Sequence, residues 1–491
     1  MHKTRPFKQI FQAIRTTFIA MTSGKKKSKE PTERFSINGN RHFVSSDCEA
    51  RTIKLTINSA ISWKLLRKKL PDWAFPDRLS GKAGTSTLTF TLTANSGSAR
   101  YQQIIFKHRK EIYPFTLQQS ASPDHKTPPD YYFYATFGTM PALYAGLHLL
   151  SHDRPSYFFY ERAETFDPTL LPPHATYVPC PREYMKEIFK QKILEINASN
   201  PNATFGFLTD NIRARLGHDF FVRLGISPSR VEVILLSDGT GTYNEFYKAF
   251  GDATKGKDAW NNYKQQIDGL DWDATHPMPE LEGANFESFN WAYYLSTYPG
   301  YTLLLQNAAL LETNNEAVKA ELTQMKAITM PPLDMLNKLS PERQELFYRI
   351  SKFDKAYYES LFTASSKPNL VIIGNDTHVA SSPEAQQNYV RQIWEQYGNS
   401  HDIYFKPHPR DDDSQNYEQL FPGLMMLPRQ MPFEIMIWAL NNLIDLIGGY
   451  PSTTFLTVPT EKVKFIFEAT PDTIDRPLNL LFKNADVKWI V

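Results

Sequence analysis

The sequence predicts an α/β protein of two Rossmann-like halves facing a cleft, preceded by a small all-β sandwich. Three observations predict it. Short alternating strands separated by Gly, Asn and Ser turns occupy residues 34–120. From residue 131 to about 250, apolar strand runs alternate with amphipathic runs, the pattern of a doubly wound parallel sheet. The same alternation returns from residue 369 to the end. A chain of 491 residues has room for about three domains at ~100–200 residues each, and 41% apolar residues can fill their cores.

Composition narrows the function. A net charge of +2 argues against an obligate nucleic-acid binder. Cys48 and Cys180 stand far apart and match no metal or disulfide framework. No apolar run reaches the ~18–20 residues of a membrane span, so a soluble, cytoplasmic protein is expected.

Residues 1–33 form a basic leader. Lys3, Arg5, Lys8, Arg15 and Lys25-Lys26-Lys27 precede the first acid, Glu30. Phe7, Ile10, Phe11, Ile14 and Phe18 recur at helical spacing. The alternatives are a disordered leader, an amphipathic helix lying on an anionic surface, and a signal peptide, against which Arg15 interrupts the apolar stretch and no clear small-x-small cleavage site follows. The amphipathic helix would make residues 1–31 a peripheral contact on the inner face of the inner membrane.

Within 34–120, Thr52–Ile57, Thr87–Thr93, Gln103–Phe106 and Tyr113–Leu117 read as strands. The landmarks Trp63, Pro71-Asp72-Trp73, Ser80–Gly84, Asn95, Arg100 and Gln118 resemble the BACON domain, a sandwich often fused to carbohydrate-active proteins. Trp63 and Trp73 are candidate sugar platforms, though buried tryptophans are commoner. Residues 121–130 are a polar, proline-bearing linker.

The first α/β half, residues 131–290, is expected to hold strands at Tyr131–Ala135, Ser156–Tyr160, Thr204–Leu208 and Val231–Leu236. Amphipathic stretches at Tyr184–Ile196 and Arg213–Leu224 lie between them. From about Phe250 to Ser351 the sequence reads as mostly helical. The second half, residues 291–491, places strands at Asn369–Gly374, Ile403–Phe405 and Val463–Phe467, with helices at Pro383–Tyr397 and near Pro432–Leu440. Its last segment is a candidate to cross back. Two such halves around a cleft make the GT-B plan. There is no GxGxxG or GxxxxGK[ST] fingerprint.

Two stretches carry the chemistry. Ile403-Tyr404-Phe405 runs into Lys406-Pro407-His408-Pro409, and the two prolines limit the freedom of His408 at a strand's carboxyl end. That edge is where open α/β sheets place ligands. Gly448-Gly449-Tyr450-Pro451 leads to Ser452-Thr453-Thr454, whose small hydroxyls and free N–H groups suit a phosphate. Together they suggest a nucleotide-sugar site.

From Tyr131 onward the chain resembles the bacterial sialyltransferases of the Pasteurella and Photobacterium type, glycosyltransferase family 80. The motifs behind that resemblance are Ser237-Asp238-Gly239, Lys406-Pro407-His408-Pro409, Pro432-Phe433-Glu434-Ile435 and Ser452-Thr453, in that order. Similar connectors lie at 339–347, 369–378 and 458–467. The resemblance implies transfer of sialic acid from CMP-sialic acid to a galactoside-terminated glycan or glycolipid, with inversion and without cofactor or metal. By the resemblance, Asp238 is the catalytic base and His408 stabilises the departing phosphate with Ser452 and Thr453. Glu434 accepts from the ribose hydroxyls, and Lys406 and Pro409 lie at the donor. Gly374 lets the base approach the backbone, and His378 faces the acceptor.

The chain departs from the family's D-D-G, since its first acidic position is Ser237. If that position holds the base, either the protein is impaired or Asp238 serves in a shifted arrangement. His378 replaces a tryptophan, which leaves the linkage, α-2,3 or α-2,6, open. The alternatives are a GT-B transferase using another sugar nucleotide and a carbohydrate-binding protein without turnover. The acidic run Asp411-Asp412-Asp413 reads as a solvated charged loop or a helix entry, and by the resemblance not as a divalent-ion site.

Overall fold

Every strand run read from the second half of the chain pairs into one parallel sheet. Among the described residues its six strands lie in the order Leu424–Met426, Asp402–Lys406, Asn369–Ile373, Leu446–Gly449, Val463–Phe467 and Lys488–Ile490. In chain order this is 3-2-1-4-5-6, the doubly wound arrangement of a Rossmann fold. Asn369–Ile373 is buried at every position, as expected of a central parallel strand covered on both faces.

The computed structural model describes residues 35–37, 43–46, 48–97, 100–119, 122, 127–162, 165–268, 289–298, 300–323, 325–376, 382–411 and 413–491. The basic leader, much of the linker and His378 lie outside the described residues.

The first parallel sheet follows the same logic with one strand more. Its order is Ala175–Tyr177, Ser156–Tyr160, Tyr131–Thr136, Phe205–Asp210, Val231–Leu236, Tyr301–Leu305 and Ala327–Thr329. The last two strands lie among the helices expected of residues 250–351, such as Gly256–Asp268 and Pro341–Ile350, and they carry this sheet beyond the division expected at 290. Tyr301–Leu305 is five residues long, too short for a stable helix, and pairs in parallel with Val233–Leu236. The stretch Arg213–Leu224 also differs from expectation. It breaks at Gly217 into a 3-10 turn and a short helix, His218–Arg223. A side chain at Gly217 would meet the Tyr301 hydroxyl at 2.5 Å, while that hydroxyl accepts from the His218 N–H at 2.8 Å.

One apolar core joins the two halves. It runs from Leu143 and Leu147 of helix Thr139–Leu150 to Phe433 and Met436 of helix Phe433–Leu440 and on to Val371 and Ile466. At the C-terminal end the chain closes the second sheet with Lys488–Ile490, whereas Arg476 reaches the first half, pairing with Glu312 and lying over the Tyr247 ring at 3.6 Å.

Ahead of the cleft stands the sandwich, with one four-stranded and one five-stranded sheet among the described residues. Trp63 is wholly buried and Trp73 nearly so, packed with Leu88, Phe90 and Phe106. Neither is placed to serve as a sugar platform. No helix among the described residues is long and apolar enough to cross a membrane.

Candidate active site

In each sheet the strand order reverses between the first strand and the fourth, opening a crevice at the carboxyl edge. In the first sheet that crevice lies between Tyr131–Thr136 and Phe205–Asp210, and it is filled by Phe137, Gly138 and Asp210. In the second it lies between Asn369–Ile373 and Leu446–Gly449, and it holds Gly374 and Tyr450. Tyr450 N–H donates to Ile373 O at 3.0 Å.

Asp238 follows strand Val231–Leu236, next to the first crevice. Its backbone N–H donates to Thr242 Oγ1 at 3.0 Å, and Gly239 turns the chain with φ +68° and ψ −138°, a conformation that favours glycine. Burial raises the Asp238 carboxyl above the ordinary range, while Arg162 and Arg213 oppose the shift. Ser237 is wholly buried and donates to Thr242 Oγ1 at 3.2 Å. Its side chain therefore faces the core, and the half-buried carboxylate at the cleft is that of Asp238.

A second carboxyl, which the sequence reading missed, stands beside it. Asp210 is almost fully buried and accepts from Gly138 N–H at 2.7 Å and Phe137 N–H at 3.1 Å. A side chain at Gly138 would sit 2.6 Å from Asp238 Oδ1 and 3.4 Å from Asp210 Oδ2, so both carboxyls flank this glycine. Burial, and then the Asp238 charge, push Asp210 up to about 7. Its signal is the one that marks Asp238, a carboxylate at the end of an apolar strand: the run read as Thr204–Leu208 extends to Asp210.

From the opposite sheet, Thr453 meets this turn. Its Oγ1 accepts from Thr240 N–H at 3.2 Å and lies 3.3 Å from Thr240 Oγ1. Ser452 caps the 3-10 turn Thr453–Leu456, accepting from Thr454 N–H at 3.3 Å and donating to Thr454 Oγ1 at 3.2 Å. Thr454 Oγ1 in turn donates to Glu434 Oε1 at 3.0 Å, so a chain of hydroxyls ends on the carboxylate at the start of helix Phe433–Leu440.

His408 is half-buried, and desolvation lowers its pKa below the usual value. Its Nδ1 accepts from Arg410 N–H at 3.3 Å. The neutral ring then carries its proton on Nε2, leaving that atom as the donor. Pro409 is exposed beside it.

Lys406 and Gly374 are placed differently from their expected use. The Lys406 ammonium donates to Pro407 O at 2.7 Å and Arg429 O at 2.9 Å, and burial lowers it to about 8 against the pull of Glu434. In this arrangement Lys406 braces its own loop. Gly374 is buried, and a side chain there would meet the Phe405 ring at 2.6 Å. Close packing thus explains this glycine without a ligand. Asp411 is 1% exposed and so not solvated, while the acidic run leads into the 3-10 turn Asp413–Asn416, as the helix-entry alternative expects. Among the described residues no group of three or more His, Cys, Asp or Glu side chains is arranged to hold a metal ion.

Residues 333–490 match the family model for sialyltransferase PMO188. The structure is similar to the 2,6-sialyltransferase of Photobacterium sp. JT-ISH-224, solved with the donor product CMP and the acceptor substrate lactose, at 15% identity. That likeness covers 91% of this chain and 96% of that one, with a TM-score of 0.59. The chain has a GT-B fold. The GT-B domain of the Photobacterium damselae sialyltransferase is similar at 18% identity and a TM-score of 0.56, covering 74% of this chain and 100% of that one. The α/β-galactoside α-2,3-sialyltransferase of Photobacterium phosphoreum gives 17% identity and a TM-score of 0.58, covering 74% of this chain and 99% of that one. No curated protein matches the sequence.

Proposed function

We propose that the protein is an inverting sialyltransferase that moves sialic acid from CMP-sialic acid to a galactoside-terminated glycan. One observation carries the reading. The Asp238-Gly239 turn of the first sheet lies against Ser452-Thr453 of the second, so a carboxylate and a hydroxyl-rich turn share one cleft. The acceptor hydroxyl attacks the anomeric carbon from one face as the bond to the CMP phosphate oxygen breaks on the other. Asp238 takes the hydroxyl proton, and the upward shift that burial gives its carboxyl makes it a stronger base. His408, through Nε2–H, the Thr453 hydroxyl, and the Ser452 hydroxyl once its proton turns from Thr454 Oγ1, hydrogen-bond the phosphate oxygen as it gains charge. Glu434 accepts from the ribose hydroxyls. The residues in these roles supply proton transfer and charge stabilisation without a metal.

Incubation with CMP-sialic acid and lactose tests the proposal. Release of CMP with formation of sialyllactose is expected. Bound nucleotide without CMP release, across a panel of galactosides, would leave a binding protein instead.

A further inference from the structure

Two loops form the donor side, one after Asn369–Ile373 and one after Asp402–Lys406. A single buried side chain ties them together. Gln386 lies in the first turn of helix Pro383–Tyr397, whose N-cap Ser382 accepts from Ala385 N–H at 3.1 Å, and it is wholly buried. Its Oε1 accepts from Asn375 N–H at 2.8 Å, and its Nε2 donates to Asp411 Oδ2 at 2.9 Å.

Asp411 in turn closes the turn that carries His408. The Asp411 N–H donates to His408 O at 2.9 Å, Oδ1 accepts from Ser414 N–H at 3.3 Å, and its carbonyl accepts from Arg429 Nη1 at 3.2 Å. Inside that turn, Arg410 N–H fixes the ring by donating to His408 Nδ1. An amide suits position 386 chemically. It offers an acceptor to the backbone N–H and a donor to the carboxylate, whereas a carboxylate there would face Asp411 with like charge.

We propose that Gln386 is a positioning residue that sets the orientation of His408 through Asp411. This rests on the reading of His408 as the group that meets the departing phosphate. Misplacing a reactive group by ~1 Å can cost ~10²-fold in rate.

The test is a polarity swap in the full-length protein. Gln386→Glu is expected to lower kcat for CMP-sialic acid by up to ~10²-fold while KM for lactose stays within about twofold. The double variant Gln386→Glu/Asp411→Asn reverses donor and acceptor and is expected to recover most of kcat. A second readout needs no turnover: 15N NMR of the His408 ring. The wild type should show one tautomer with Nε2–H, the single variant a mixture, and the double variant one tautomer again. A single variant that keeps wild-type kcat and one tautomer overturns the proposal, as does a double variant that restores neither or fails to fold. If the wild type releases no CMP with any galactoside, the transferase reading fails, and the tautomer comparison alone decides the role of Gln386.

Discussion

Thr453 Oγ1 accepts a hydrogen bond from Thr240 N–H at 3.2 Å, joining a turn of the second sheet to the helix start that follows Asp238 in the first. Between them lies Gly239, where a side chain would meet Thr453 at 2.4 Å. The carboxylate and the hydroxyl turn are thus held at a separation set by one missing Cβ.

Gly239→Ala should therefore force the two turns apart. The position also carries φ +68°, which costs an L-residue on the order of 1–3 kcal/mol. A displacement near 1 Å predicts a loss of ~10²-fold in kcat/KM for CMP-sialic acid. Steady-state kinetics checks this, and wild-type kcat/KM would contradict the contact's importance.

His408 should respond to the shape of its replacement. With Nδ1 accepting from Arg410 N–H, the useful proton is on Nε2. A glutamine amide reaches that position and an alanine does not. His408→Gln is expected to keep more activity than His408→Ala, whose loss should be ~10²–10³-fold, as for other donors to a developing oxyanion. Equal losses would contradict the Nε2 assignment.

Asp210 predicts a pH-dependent stability difference. Its folded pKa is raised to about 7 from 3.8. Below pH 3.8 the carboxyl is protonated in both states and costs nothing. As pH rises toward 7 the unfolded chain releases the proton while the folded chain keeps it, so the wild type loses stability, by roughly 1.4 kcal/mol per pH unit. Asn has no proton to lose. The melting temperature of Asp210→Asn relative to wild type should therefore rise between pH 5 and pH 8. A constant difference over that range would contradict the late ionisation.

Trp63 separates packing from sugar binding. It is wholly buried in the sandwich core, edge-on to Phe106 at 5.6 Å. Trp63→Ala should cost ~3–5 kcal/mol. Calorimetry should show a lowered sandwich transition, with binding of lactose unchanged at a temperature where the variant is folded.

Much of this architecture was legible because local pattern and tertiary demand agree. Val231–Leu236 and Val463–Phe467 are short apolar runs rich in β-branched or aromatic residues, and both form strands with the bounds read from sequence. Helix Pro383–Tyr397 begins at a Ser-Pro cap and has the bounds that signal implies. Tyr301–Leu305 was hidden because its aromatic surroundings carry both helical and strand signals. At the site, sequence found residues by type but could not tell which groups they would meet. Lys406 beside a histidine suggests a phosphate ligand, yet its partners are carbonyls at Pro407 and Arg429. Asp210 takes its partners from residues 137 and 138, which only strand pairing brings near. Asp411 looked solvated amid acidic neighbours, although Gln386 and Ser414 bury its carboxylate in hydrogen bonds.

The central claim is that Asp238 deprotonates an acceptor hydroxyl while CMP departs toward the opposite turn. Its most direct measurement is CMP release and sialyllactose formation from CMP-sialic acid and lactose, comparing wild type with Asp238→Ala. The account predicts turnover by the wild type and a loss of ~10²–10⁴-fold in the variant, with CMP binding retained. Equal turnover by the two proteins would contradict it.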